Sequence, residues 1–202
     1  MDITPFQLDA FKELVNIGVG RAASSLNEIL NAPIMLKVPE VSMINYEDMA
    51  SQLNEGNSVP EDNYSCVQLH FNGVFSGLAA LVFPPDSAVK LVASLTGEEP
   101  ETPGLNGVMA GTLSEVGNIV INCVIGTIGN ILDKPFDFAL PNFVQGRLND
   151  LICGKHNVKP LHILLVRTNF TVKENQVAGS ILLVFESASF DSLLQAIDHM
   201  YV

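Results

Sequence analysis

A glutamate followed three residues later by an asparagine occurs twice in this chain, and the two copies are linked by a constant offset. Glu13 and Asn16 return as Glu115 and Asn118, 102 residues further on. At the same offset Ile17, Ile29, Leu30, Pro33 and Pro39 return as Ile119, Ile131, Leu132, Pro135 and Pro141. Gly77, Leu81, Val82 and Phe83 return as Gly179, Leu183, Val184 and Phe185, and Ser87 and Leu91 as Ser189 and Leu193. No insertion is needed anywhere. A chain built this way is a duplicated supersecondary unit, with repeats of about 1–100 and 103–202.

Local signals show what the unit contains. Thr4 suits an N-cap, Pro5 the first helical position, and Gln7 completes a capping box. Leu8, Phe11, Leu14, Val15, Val19, Ala22, Leu26 and Ile29 then trace an apolar stripe at helical period, and Pro33 ends the helix. Residues 34–46 read as extended structure broken at Pro39, and residues 47–63 as an acidic loop with room for one helical turn. Residues 64–71 and 75–83 read as strands joined at Asn72-Gly73, a hairpin signal. Pro84-Pro85-Asp86-Ser87 opens a second helix closed by Gly97.

Residues 98–104 are acidic, proline-rich and aperiodic, and mark the internal boundary. Beyond it the pattern restarts, with Asn106 as second N-cap candidate. Strands are expected at 136–140, 161–170 and 176–185, a closing helix at 188–200, and a short extra helix within 145–153. A half of about 100 residues could fold alone. Each half nevertheless has a one-sided sheet and two apolar helices, so joining the sheets buries more. The expected fold is α/β of the α+β type: one pseudo-two-fold domain over residues 1–202, with a continuous, mainly antiparallel sheet and two long helices carrying the repeated pairs.

Composition narrows the function classes. Hydrophobic residues make up 48% of the chain and charged residues 16%, which describes a globular chain with a large buried fraction. A net charge of −12 disfavours nucleic acid and anionic membrane as partners. The three cysteines, Cys66, Cys123 and Cys153, share no metal-binding spacing and read as free thiols in a reducing compartment. No basic, apolar leader opens the chain, and the apolar run 116–132 is interrupted by Asn118, Asn122, Asn130 and three glycines. That run reads as a buried helix, and the expected location is cytoplasmic.

Asp9, Glu13 and Asn16 are spaced to share one helix face. For one copy, a solvated face would explain them. The other copy is harder to explain so, because its helix is apolar almost all round, and a Glu and an Asn there need water, a partner protein or each other. The pairs lack a nucleophile with a neighbouring base, and no Ser-His-Asp order is present. A carboxylate can grip a cation, and a carboxamide can donate to and accept from one water. Such groups suit a reaction limited by positioning, and phosphoryl transfer is one, because its loose transition state asks for an in-line water more than a strong base. The substrate would then supply the metal and the phosphate grip.

At these residues the chain resembles the CheC/CheX/FliY phosphatases of bacterial and archaeal chemotaxis. Their pattern is an acidic residue or Ser, three residues, Glu, two residues, Asn, and a Pro after twenty-two more. Asp9, Glu13, Asn16 and Pro39 fit it throughout; Glu115, Asn118 and Pro141 fit it again, with Gly111 in place of the acid or Ser. The segments NIGVGRAASSL, which begins at Asn16, and SEVGNIV, which contains Asn118, are similar to the family too. The resemblance implies hydrolysis of the aspartyl phosphate of a CheY-type response regulator. Glu13 and Glu115 would pair with the regulator's lysine, and Asn16 and Asn118 would orient the attacking water. Asp9 is a weaker binding candidate. The chain would need no cofactor of its own, since the Mg2+ sits on the regulator. Two intact pairs resemble CheC. The resemblance also admits the deamidase CheD as a partner, through the segment NFVQGRLNDLIC, in which Asp150 is the only acid.

A non-catalytic receiver-binding or flagellar-switch module is the alternative, since the FliM middle domain is similar in fold. A small-molecule enzyme is disfavoured by the lack of a phosphate loop, metal cluster or triad. The remaining polar and small residues read as structural: His70 and His162 in strands, His156 and His199 on the surface, and Gly18, Gly20, Gly126 and Gly129 permitting close helix packing. Met35, Met43 and Met49 form no stripe.

Overall fold

The first helix starts where its capping box requires. The Thr4 N–H donates to Gln7 Oε1 (2.9 Å) and the Gln7 N–H to Thr4 Oγ1 (3.2 Å), which satisfies two donors that a helix start leaves orphaned and stabilises it by about 1 kcal/mol. Gln7 Nε2 also donates to both carboxylate oxygens of Asp198, 3.0 Å each, and so ties this start to the last helix of the chain.

The structure is a computed structural model that describes residues 3–30, 33–54, 63–97, 107–153 and 161–200. In chain order the elements are α1 (Pro5–Leu30), β1 (Ile34–Ile44), α2 (Met49–Asn54), β2 (Tyr64–Gly73), β3 (Gly77–Phe83), α3 (Pro85–Thr96), α4 (Gly107–Ile131), β4 (Phe136–Phe138), β5 (Asn142–Gly146), α5 (Leu148–Cys153), β6 (Leu161–Val172), β7 (Asn175–Glu186) and α6 (Ser187–His199). The expected boundary at 98–104, the Asn106 cap and His156 lie outside the described residues.

The strands form one antiparallel sheet in the order β1-β6-β7-β3-β2-β4, with β5 also on β2. At its centre β3 pairs with β7, and Ala80 lies opposite Leu182, its counterpart 102 residues on. Outward from that line each side carries one hairpin, β2–β3 or β6–β7. The outer segments cross over: β1 of the first half pairs with β6 of the second, while β4 and β5 of the second half pair with β2 of the first. The two prolines 102 residues apart interrupt these outer strands in corresponding places. The β1 register shifts between Lys37 and Glu40, around Pro39, and Pro141 separates β4 from β5. A proline removes a ladder donor and is tolerated at such irregular edges.

α1, α3, α4 and α6 cover one face of the sheet, where Phe11, Leu14 and Val19 meet Leu113, Val120, Leu81, Ile181 and Phe185. The other face is also covered. Met49 and Leu53 of α2 and Leu148 and Ile152 of α5 enclose Cys66, Ala80, Ile163, Leu165 and Leu182. This corrects the expectation of a one-sided sheet: residues 179–185 of β7 are buried without alternation, as in a strand covered on both faces. α4 is long and apolar enough to cross a membrane by length and composition. Its apolar residues instead pack on α1 and the sheet, and Gly117 lets the helix lie against Val67, where a Cβ would come within 2.5 Å of the valine Cβ.

Other expectations need revision. β2 runs on through Asn72-Gly73, because β4 pairs with both, and the connection to β3 is made by residues 74–76. Gly73 is needed there for a different reason: a Cβ would sit 2.7 Å from the Pro135 carbonyl oxygen. The strand expected over 136–140 stops at Phe138, and β5 is a strand that no local pattern announces. Ile29 is 57% exposed, beyond the last buried position of the α1 stripe. Of the four glycines expected at helix contacts, Gly18 and Gly129 are in close contact, whereas a Cβ at Gly20 or Gly126 would meet nothing within 4 Å.

Candidate functional site

Both Glu-x-x-Asn pairs lie on the long helices that pack against each other on the sheet. α1 and α4 touch at Gly18, where a Cβ would lie 2.7 Å from the Val124 Cα. Absence of that Cβ is what lets the backbones approach. Further along α1 from this contact, Arg21 Nη1 donates to Thr127 Oγ1 (3.2 Å), and Ser25 Oγ lies 3.8 Å from Cys123 Sγ. The two bridges exchange places under the 102-residue offset, Arg21 corresponding to Cys123 and Ser25 to Thr127. The pairs themselves precede the contact on each helix, with Glu13, Asn16 and Glu115 exposed and Asn118 half-buried.

On α1, Asp9, Glu13 and Asn16 are not part of the buried stripe, whereas Ala10, Phe11, Leu14 and Val15 around them are buried; Glu13 and Asn16 stand at its open edge and Asp9 beside it. Ile17, next to Asn16, remains 39% exposed, so an apolar side chain flanks the amide. On α4, Glu115 is exposed and is the only charged residue in the helix. Water solvates it, which meets the need that an otherwise apolar helix creates. Gly111, the counterpart of Asp9, leaves open space.

Asn118 differs from its counterpart. It is half-buried, and its Oδ1 accepts a hydrogen bond of 2.7 Å from Asn122 Nδ2. In the sequence Asn122 stands out only as one of the polar breaks in an apolar run. Its spacing of four from Asn118, which puts two amides on one helix face, is the signal that could have found it. Four residues after Asn16 stands Gly20, with no side chain to do the same.

The other polar candidates are structural or superficial. The His162 ring stacks on Phe190 (4.4 Å between centroids, 8° between planes), with Nε2 3.3 Å from Ser187 Oγ. His70 and His199 are exposed. Among the described residues no group of three or more His, Cys, Asp or Glu could hold a metal ion. What the arrangement offers chemically is two exposed carboxylates, each with a carboxamide about one helical turn on.

Residues 65–163 match the family model described as chemotaxis phosphatase CheX, and residues 6–43 match the CheC-like family. Each match holds one Glu-x-x-Asn pair and its proline. Among curated proteins, the chain is 24% identical over 128 residues to the CheY-P phosphatase CheC of Bacillus subtilis (strain 168), covering 62% of this chain and 59% of that protein. It is 22% identical over 192 residues to the flagellar motor switch phosphatase FliY of the same organism, covering 94% of this chain and 48% of that protein. The chain thus spans about half the length of these relatives.

Among solved structures, Thermotoga maritima FliY superposes with a TM-score of 0.77 at 17% identity, covering 99% of this chain and 100% of the other. The FliM middle domain from H. pylori gives 0.69 at 12% identity, covering 96% and 99%. A chain of the CheX–CheY–BeF3–Mg2+ complex from Borrelia burgdorferi gives 0.52 at 16%, covering 89% and 98%. At such identities these structures establish a shared α+β fold. With a family-model match around each Glu-x-x-Asn pair, two curated relatives and that fold, the chain belongs to the CheC/CheX/FliY family.

Proposed function

We propose that this protein hydrolyses the aspartyl phosphate of a CheY-like response regulator, as a CheC-like enzyme with two sites, in the cytoplasm. The observation that carries the reading is the exposure of Glu13, Asn16 and Glu115, with Asn118 half-buried beside Glu115, on the two long helices that pack against each other, Glu115 being the sole charge on α4. Glu13 and Glu115 would each bind the regulator's lysine. Asn16 and Asn118 would each hold a water in line with the phosphorus, donating through Nδ2 and accepting through Oδ1. Attack by that water breaks the acyl O–P bond, leaving the aspartate carboxylate and inorganic phosphate. A carboxylate is a good leaving group, so placing the water supplies most of what the loose transition state requires. The Mg2+ that neutralises the phosphoryl oxygens belongs to the regulator, and this chain brings no cofactor. The Borrelia burgdorferi complex, in which a structurally similar chain occurs with CheY, BeF3 and Mg2+, supports this division of labour.

The test is phosphate release from phosphorylated CheY with Mg2+ by wild type, Asn16→Ala, Asn118→Ala and the double variant. Each single variant is expected to keep part of the rate, and the double variant to lose roughly a hundredfold or more, the scale on which positioning groups act. A double variant as active as wild type would sink the assignment.

The alternative reading, a receiver-binding or flagellar-switch module without catalysis, draws on the similarity to the FliM middle domain across 96% of the chain. It predicts binding of phosphorylated CheY without faster phosphate release. CheD is proposed as a further partner through residues 142–153, which form β5 at the sheet edge and α5.

A further inference from the structure

Asn122 sits one turn after Asn118 on α4 and points the same way. Its Nδ2 donates to Asn118 Oδ1 at 2.7 Å, a short, well-formed amide–amide bond. Its own Oδ1 is buried and has no hydrogen-bond partner among the described residues. Leaving a buried carbonyl unpaired is unfavourable. Alanine or leucine would fill this helix position without that penalty and with better helix propensity. A residue serving only to pack α4 against its neighbours has no use for the amide. The bond to Asn118 is what the amide provides.

We propose that Asn122 is a positioning residue that fixes the carboxamide of Asn118, so that the two sites of this protein are inequivalent. The bond occupies one acceptor direction of Asn118 Oδ1 and settles which end of the amide is held against the helix. Nδ2 and the remaining acceptor direction of Oδ1 are left for a water. In the first half the same place is Gly20, where an added Cβ would meet nothing within 4 Å. Asn16, exposed on α1, therefore has no such holder and orders its side chain only when a partner docks. The site on α4 is organised before the partner arrives and the site on α1 is not. Ordering a free side chain on binding opposes catalysis, and an orientation set in advance is gained in kcat rather than in KM.

The kinetic consequence rests on the phosphatase reading, whereas the contact does not, and the experiment separates the two. Side-chain amide order parameters come first, measured by NMR on the full chain. The Asn118 NH2 group is expected to be more ordered than that of Asn16, and to fall to the Asn16 level in Asn122→Ala. Unchanged order in Asn122→Ala overturns the proposal whatever the protein catalyses.

Phosphate release from phosphorylated CheY with Mg2+ is read next, on the Asn16→Ala background that leaves the α4 site alone. Asn122→Ala is expected to lower kcat about tenfold with KM changed less than about twofold. Asn122→Asp, equal in shape but lacking the donor, should do as badly. In the converse arm, Gly20→Asn on the Asn118→Ala background is expected to raise the kcat of the α1 site. A loss of melting temperature in Asn122→Ala with kcat intact overturns the proposal, and so does an inactive α4 site beside an active α1 site. Failure of the phosphatase reading shows separately, as equal phosphate release by wild type and the Asn16→Ala, Asn118→Ala double variant.

Discussion

At Cys66 the chain places a thiol where neither water nor a cation can reach it. The side chain is fully buried in β2, and burial pushes its pKa up from 9.0 to about 12, a hydrogen bond with the Gln68 side chain opposing in the smaller degree. In the unfolded chain the thiol ionises near 9; in the folded chain it keeps its proton until about 12. Between those values the unfolded state binds fewer protons, so stability falls as pH rises, by about 1.4 kcal/mol per pH unit from this group at most. The slope of unfolding free energy between about pH 9 and 10.5 should therefore be shallower in Cys66→Ala than in wild type, an outcome that urea titrations at fixed pH would check. At about pH 8, a thiol reagent followed by peptide mapping should label the half-buried Cys123 and spare Cys66 until the chain unfolds. Legibility at this scale depended on repetition. Glu13, Asn16, Glu115 and Asn118 stood out because each had a counterpart, whereas Asn122 had only Gly20 opposite it and carried no signal beyond its spacing from Asn118.

Among elements, the crossing of α1 and α4 sets where the two Glu-x-x-Asn pairs stand, and one glycine controls it. A methyl group at Gly18 would lie 2.7 Å from the Val124 Cα and 3.3 Å from the Cys123 carbonyl oxygen, both backbone atoms that cannot rotate away. Gly18→Ala must push the helices apart, at about 1–3 kcal/mol, and should lower the melting temperature by roughly 5 °C. Gly20→Ala, two residues on and facing open space, should instead raise it by about 3 °C, since alanine is favoured over glycine in an exposed helix by about 1 kcal/mol. Thermal unfolding of the two variants side by side tests the contrast, and equal shifts would refute it. Both glycines are alike in sequence, because periodicity says which face a residue occupies and not how close the facing backbone comes. Turns show the same limit. Asn72-Gly73 carries a strong turn signal yet lies within β2, held by β4, while Lys173-Glu174, with no such signal, makes the tight turn between β6 and β7, with Lys173 at φ 56°. Tertiary pairing overrode local preference at the former, and at the latter the two long strands impose a turn that the residues tolerate.

For the whole molecule, what matters is how the first and second hundred residues interlock. Two units side by side would each keep their own strands. Here, among the described residues, β1 pairs with β6, and β4 and β5 pair with β2, so each half supplies the outer strands of the other half's hairpin. The middle of the sheet, β3 against β7, is buried on both faces by residues of both halves. A chain ending at about residue 100 would keep the β2–β3 hairpin but leave β1 without a partner and the apolar edge of β3 open, a template for pairing with other chains. Residues of about 1–100 and 103–202 expressed separately are therefore expected to show no cooperative unfolding and to self-associate, which size-exclusion chromatography and thermal melts would reveal. Mixed during refolding, they should restore a single transition. A cooperative melt of either fragment near that of the full chain would contradict the interlocked reading. It would also return the halves to the independence that their length alone suggests.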